Sequence, residues 1–518
     1  MSEDLAPMGP KPSLHRAILK PVASSAVAAS TGAAYDTPEG GVVEDLRLEF
    51  GSPAKMVEFL ATHPRIRFVD ICFNDPIGQW HHCTFSAEFI TEENLRAGYG
   101  FDASSIPMFE KIENSDFVMV PDVSTCFLDP FAHFPTLQCV ADIATPLGSD
   151  YEKCPRRVLK RAVDYLRKSG AGEKVYFGPE AEFFVFNDAE FYVNENCVGY
   201  SLNGDEAYWN GKGGDHNLAH RAQKKQGYMT SRPMDRMANL RSEMLLVLQQ
   251  LGINTEKHHH EVATCQMELN VHSDDALRAA DHLMMLKYVV RNVANRRGKT
   301  ATFMPKPLAC DNGSGMHCNQ SVWKNGENVF FDPEGKFMEL SDLAVHYMAG
   351  ILHHCKALLA FSCPTTNSYK RLVPDFEAPV HITYSAGNRS TAIRVPSFAS
   401  KNSKRIEFRM PDASCSPYLA FASQVMAGLD GIQRKLELPL MGSGNLFDEN
   451  NPCLKYIERA PHSLEGALDA LQKDHDFLLQ GAVFSENFIQ SFIKFKRKES
   501  SQMNGHPHPR EFQLYYGI

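Results

Sequence analysis

Apolar residues recur at helical spacing in RRVLKRAVDYLRKSG (156–170), which ends at Gly170, and in three longer stretches at 232–251, 274–297 and 340–361. Each pattern predicts a helix with one buried face. A shorter helix is expected near 53–63. Elsewhere the period drops to two. IRFVDICFND (66–75) alternates and is followed, after a Pro-Ile-Gly turn, by WHHCTF (80–85), which predicts a hairpin in a small β-rich module. VYFGPEAEFFVF (175–186) and RIEFRM (405–410) also read as half-buried strands. Proline and glycine gather at 146–155, so the expected boundary falls there. The resulting division is a low-complexity, flexible tail over 1–43, a β-rich module over 44–147 and a mixed α+β catalytic domain over 148–518.

The composition adds limits to that picture. With 43% hydrophobic and 22% charged residues the chain is an ordinary globular one, and 518 residues exceed a single core. A formal net charge of −9 argues against general nucleic-acid binding. The 13 cysteines show no CxxC pair, which points to reduced thiols in the cytoplasm. No apolar run reaches the roughly 18 residues that would span a bilayer.

Against this acidic background, Arg389, Arg394, Arg405 and Arg409 surround one acid, Glu407. Guanidinium forks match carboxylate and phosphate oxygens two at a time. Glu407 is then either their salt-bridge partner or a metal ligand beside phosphate. Glu180 and Glu182 sit two apart in a strand, so both carboxylates project from one face, which suits a solvated edge or a divalent cation. Glu261 and Glu268 are an odd number of positions apart, so a turn near Ala263–Gln266 is needed to bring them together. Of the three histidines before Glu261, at most two can converge, and packing or supporting roles are expected. CDNGSGMHCNQS (310–321) supplies Asn312, Gly313, His317, Asn319 and Ser321 on a loop whose small residues allow close approach to a ligand. Arg371 and Glu377 flank a Pro374–Asp375 turn in a mobile segment, and Asp102, Ser104 and Ser105 form a capped turn. Glutamates, one histidine and arginines together suit metal-assisted phosphoryl transfer. The absence of a GxxxxGK[ST] loop excludes a P-loop enzyme, and no GxSxG elbow is present.

The motifs FDASSI, GPEAEF, HHHEVAT, KTATFMPKP, DNGSGMH, PTTNSYKRLVP, EAPV, RIEFRMPD and HPHPREFQLYYGI, in this order, make the chain resemble type I glutamine synthetases from about residue 53 onward. The resemblance implies a β-grasp-like N-terminal domain and a catalytic domain of the glutamine synthetase/guanido kinase type built on a curved antiparallel sheet. It also implies ATP-dependent ligation of ammonia to glutamate through γ-glutamyl phosphate, with ATP and two or three Mg2+ or Mn2+ ions. By motif, Glu182, Glu261 and Glu268 would bind one metal and Glu180, His317 and Glu407 another. Arg371, Asn312 and Gly313 would hold the glutamate α-carboxylate, and Arg409 the γ-carboxylate. Asn319, Ser321, Arg389, Arg394 and Arg405 would meet ATP, Glu377 would close the entrance, and Asp102, Ser105 and Tyr228 would bind ammonium. The family resemblance further implies a homo-oligomer, a dodecamer of two hexameric rings in which Asp102 serves the neighbouring subunit and the C-terminal segment joins the rings.

Four positions depart from the family pattern: Asn319 stands for a histidine, Gly387 for an arginine, the lysine expected near 402 is Lys401 or lost, and Phe447 replaces a modifiable tyrosine. A γ-glutamyl ligase acting on another amine, and a non-catalytic relative, are the alternatives. Retention of Asp102, Ser105 and Tyr228 favours ammonia over the first. The full set of six metal ligands disfavours the second.

Overall fold

The computed structural model describes residues 45–210, 219–397 and 400–517, so the expected tail lies outside the described residues. The first sheet comprises β1 (Phe68–Asn74), β2 (Trp80–Ser86), β3 (Tyr99–Asp102), β4 (Asp116–Pro121), β5 (Phe127–Leu128) and β6 (Thr136–Ala144). Its order is β2-β1-β6-β4-β3, with β5 beside β6. β1 and β2 form the expected hairpin, and β1 runs parallel to β6, the central pair of a β-grasp sheet.

The expected alternation of β1 does not become an alternation of burial, because six of its seven residues are buried. Val69, Ile71 and Phe73 enter the core of the small sheet. On the other face, Asp70 accepts from Thr84, and Asn74 accepts from Ser416 at 3.0 Å. A polar alternation here marks a second packed surface.

The large sheet begins with β7 (Lys174–Phe186), from which the exposed hairpin β8 (Asp188–Val193) and β9 (Val198–Asn203) projects. β10 (Thr255–His260), β11 (Gln266–Val271), β12 (Asp274–Asp275), β13 (Thr300–Thr302), β14 (Met316–Lys324), β15 (Glu327–Asn328), β16 (Tyr384–Ala386), β17 (Ile393–Val395) and β18 (Ile406–Phe408) follow. The order is β10-β11-β7-β14-β18-β17-β16, antiparallel except for the parallel β16–β17 edge.

Helices pack behind this sheet. Pro155–Ser169 has proline at its first position, ends on Gly170 at φ 76°, and buries Val158, Leu159, Ala162 and Leu166. A Val or Leu side chain contributes roughly 1.5–3 kcal/mol when fully buried. Helices Asp342–His353 and Pro417–Arg434 cross closely through glycines. A Cβ on Gly350 would lie 2.0 Å from the Ala427 carbonyl, and one on Gly428 would strike the Tyr347 ring.

Two expected helices are shorter than their patterns. The 340–361 stretch is two helices that meet at His354, whose ring is held by Asp430 and Asp474 at 2.9 Å. The 232–251 pattern becomes helical only at Ala238, because the N–H groups of Arg236 and Met237 are taken by the Glu206 carboxylate. The small sheet is joined to the large core by Arg156, which is buried and contacts Asp122, Asp142 and Asp281 at 2.8, 3.1 and 2.9 Å.

Candidate active site

Strand register assembles the acids. Residues directly opposite on neighbouring strands share a face. His259 of β10 faces Glu268 of β11, which faces Glu182 of β7. Two residues along β7, Glu180 faces His317 of β14. Asn319 on β14 faces Glu407 of β18, which faces Arg394 of β17. Groups scattered between positions 180 and 407 of the sequence therefore lie side by side on one face of the large sheet.

The first cluster holds His259, Glu261 and Glu268, with ligating atoms within 4.8 Å of one another. The turn expected between the two glutamates is present, with Cys265 at φ 60°. His259 Nδ1 lies 3.5 Å from Glu261 and Nε2 3.6 Å from Glu268. Of the three histidines expected in packing or supporting roles, His259 lies on the face that carries Glu268. His258 and His260 point the other way, to Arg241 and Ser242 and to Glu206.

Glu182 is pinned beside this cluster by the Gln266 amide at 2.8 Å and the Gly315 N–H at 3.0 Å. Burial pushes up the carboxyls of Glu261, to about 10, and Glu268, to about 8, and repulsion from Glu182 adds to both shifts. Such an excess of buried carboxylate oxygens fits a hard divalent cation.

The second cluster holds Glu180, His317 and Glu407. His317 Nδ1 is 3.3 Å from Glu180 and 3.6 Å from Glu407. Glu407 is fully buried and paired with Arg394 and with Arg409, the latter at 2.6 Å. Its salt-bridge role and its place among the ligating groups therefore coexist. Arg405 turns away from it and donates to Asn319 at 2.8 Å. Asn319 in turn donates to Glu180 at 2.9 Å, so it bridges an acid and an arginine. Burial works against charge at Glu180 and Glu407. Hydrogen bonds from His317 and Asn319 to the first, and Arg409 beside the second, outweigh it and hold both carboxyls below their ordinary range. This donor set also fits a divalent cation, now with one neutral ligand.

The other expected residues divide. Arg371 is 2% exposed, and its guanidinium donates to the carbonyls of Arg409, Met410 and Pro411 at 3.1, 2.6 and 3.2 Å. A Cβ on Gly313 would lie 2.5 Å from the Pro305 carbonyl and 3.1 Å from the Arg371 side chain, so the loop's glycines admit Arg371. Asn312 is buried beside Asp311, and Ser321 accepts from Trp323 at 3.0 Å. Glu377 is exposed at φ 58°, a strained setting for a residue with a side chain. Its loop is tied down by Lys306 and Lys225, 3.7 and 4.3 Å from the centroid of the Phe376 ring.

Arg389 is exposed, and its carbonyl accepts from Arg409. Tyr228 packs edge-on against His259, with centroids 5.4 Å apart. Asp102 keeps its hydrogen bonds within its own turn, to Ser104 at 2.6 Å and Ser105 at 3.1 Å, which lower its pKa. Asp102, Ser104 and Ser105 belong to the small sheet's edge and, among the described residues, join neither acid cluster. Gly387 has φ 67°, a conformation that disfavours arginine. Lys401 pairs with Glu327, and Lys404 is buried against Glu339.

Two carboxylate clusters beside a row of arginines can hold cations and polyphosphate oxygens together, which places the fold and site among metal-dependent enzymes that use a nucleoside triphosphate. Residues 152–515 match the glutamine synthetase catalytic domain and 65–146 the glutamine synthetase beta-Grasp domain. Over 462 residues the chain is 46% identical to a glutamine synthetase of Nostoc sp., covering 88% of this chain and 97% of that one. It is 44% identical to one of Aquifex aeolicus, with coverage of 88% and 96%. A solved Plasmodium falciparum glutamine synthetase superposes with a TM-score of 0.85 at 33% identity, over 91% of this chain and all of that one. A structure described as a GmaS/ADP complex superposes at 0.75 with 27% identity, over 89% and 99%. The chain belongs to the glutamine synthetase family, an enzyme family whose reaction is ATP-dependent formation of glutamine.

Proposed function

We propose that this chain ligates ammonia to L-glutamate, giving L-glutamine, ADP and phosphate through γ-glutamyl phosphate. The observation that carries the reading is the register of β10-β11-β7-β14-β18, which sets two ligand clusters beside Arg394 and Arg409 on one buried face. Glu182, Glu261 and Glu268 would hold one divalent cation and Glu180, His317 and Glu407 a second. Bound there, the cations would supply charge neutralisation for phosphate and carboxylate oxygens.

Arg389, Arg394 and Arg405, with Asn319 and Ser321, receive the nucleotide phosphates. Arg371, Asn312 and Gly313 orient the α-carboxylate, and Arg409 the γ-carboxylate. The γ-carboxylate oxygen attacks the terminal phosphorus of ATP and ADP leaves. Asp102, with Ser105 and Tyr228, attracts ammonium and takes one proton. The freed ammonia attacks the acyl carbon and phosphate departs. Glu377 closes the entrance and keeps water from the acyl phosphate. In this reading the Asp102 turn serves the neighbouring subunit, a role supported by its membership of neither acid cluster among the described residues. A dodecamer of two hexameric rings, held together by the C-terminal segment, supplies that geometry. We further propose a division into domains at 44–147 and 148–518, and a cytoplasmic location. Among the described residues no helix is long and apolar enough to cross a membrane.

The test is phosphate release by purified protein with Mg2+, ATP and glutamate, with ammonium in one arm and putrescine in the other. Release with ammonium supports the reading, and release with putrescine alone refutes it. Light scattering should give twelve times the 58.0 kDa chain.

A further inference from the structure

The turn that carries Glu261 is fastened from outside by a residue that no motif singles out. Glu206 is 2% exposed, and its Oε1 accepts the backbone N–H groups of Arg236 and Met237 at 2.6 and 3.0 Å. Its Oε2 lies 3.3 Å from Nε2 of His260. His260 is 1% exposed and directs its other nitrogen, Nδ1, at the backbone carbonyl of Glu261, 2.5 Å away. A carbonyl only accepts, so Nδ1 donates. The backbone carbonyl of Glu206 accepts the Thr264 hydroxyl at 2.9 Å. Glu206 therefore reaches the two ends of the 261–264 turn by separate routes.

The same turn fixes a second segment. The Gly227 N–H donates to the Val262 carbonyl at 3.1 Å and the Met229 N–H to the His260 carbonyl at 3.0 Å, with Tyr228 between them. A Cβ on Gly227 would lie 2.5 Å from the Glu261 carbonyl and 2.6 Å from the His260 ring. The segment has no slack, so a shift of His260 displaces Glu261 and Tyr228 together.

We infer that Glu206 is a positioning residue: through His260 and Thr264 it sets the backbone from which the Glu261 carboxylate reaches a metal ion, and it touches no substrate itself. The inference rests on the reading of Glu261 as a metal ligand. Groups that orient ligating residues commonly govern affinity by 10- to 100-fold. The competing role for Glu206, anchoring the helix Ala238–Gln250 through Arg236 and Met237, would affect folding alone.

The experiment measures Mn2+ binding to the full-length protein by titration calorimetry, alongside thermal melting, for Glu206→Ala, Glu206→Gln, His260→Phe and Glu261→Ala. Glu261→Ala should abolish one class of site. Glu206→Ala and His260→Phe should weaken that class by about 10- to 100-fold and leave the other unchanged. Glu206→Gln should recover most of the affinity. Its carbonyl still accepts from Arg236 and Met237, while its amide can donate to Nε2 of a neutral His260. Wild-type binding by Glu261→Ala would remove the metal reading and this inference with it. Loss in Glu261→Ala, with wild-type affinity and a lowered melting point in Glu206→Ala and His260→Phe, would overturn the positioning role alone. If Glu206→Ala does not fold, His260→Phe decides between the same outcomes.

Discussion

Replacing Glu268 by glutamine should make the metal-free protein more tolerant of alkaline pH while costing it metal affinity. Glu268 is buried, and its carboxyl is pushed up to about 8 by burial and by the charges of Glu182 and Glu180. The unfolded chain releases this proton near pH 4.5, whereas the folded chain keeps it to about pH 8. Folding therefore loses about 1.4 kcal/mol for each pH unit in that interval, or about 3 kcal/mol by pH 7. Glutamine has no charge to lose and keeps the shape. The assay is thermal melting of EDTA-treated protein from pH 6 to pH 8. The wild type should lose stability steadily as pH rises, and Glu268→Gln should lose less, the slope that remains coming from Glu261. Added Mn2+ should rescue the wild type at pH 8 and the variant little. Parallel pH profiles for the two proteins would refute the argument that uncompensated carboxylates strain the empty site.

Three further outcomes are expected. Arg156→Met leaves Asp122, Asp142 and Asp281 facing one another at the junction of the two cores, so chemical denaturation should show a loss of about 3–5 kcal/mol. At His354 burial opposes the charge, but hydrogen bonds to Asp430 and Asp474 outweigh it and raise the pKa. The ion pairs' contribution is then complete below the unfolded value of about 6.5 and lost as pH rises through the raised one, so the melting-point gap to His354→Gln should be wider at pH 6 than at pH 9. Glu377→Ala should bind ATP as the wild type does while failing in net glutamine formation, and unchanged turnover would exclude a closing role.

The parts of the site that depend on strand period were legible in the chain. Glu180 and Glu182 share a face because they are two apart, and the odd spacing of Glu261 and Glu268 required the turn that is present. Partner strands were not legible, since no local pattern states that β7 lies between β11 and β14. The place of His259 beside Glu268 is likewise a consequence of register. Glu206 was invisible for a related reason. Its carboxylate accepts the backbone N–H groups of residues 236 and 237 and its own carbonyl accepts the Thr264 hydroxyl, contacts that no local pattern announces. The two shortened helices show the reverse effect, in which tertiary hydrogen bonds at His354 and Glu206 override a sound apolar periodicity.

Because the two acid clusters are held in place by which residue faces which across β10, β11, β7, β14 and β18, the site tolerates exchange far better than insertion. An exchange such as Asn319→His on β14 would leave the row of facing residues in place. One residue added or deleted inside β7 or β14 would turn the following side chains to the opposite face and divide the ligands between the two sides of the sheet. Loops and individual side chains of this sheet can therefore change one at a time, whereas strand length cannot, and a chain with only some of these strands paired holds no weaker version of the site.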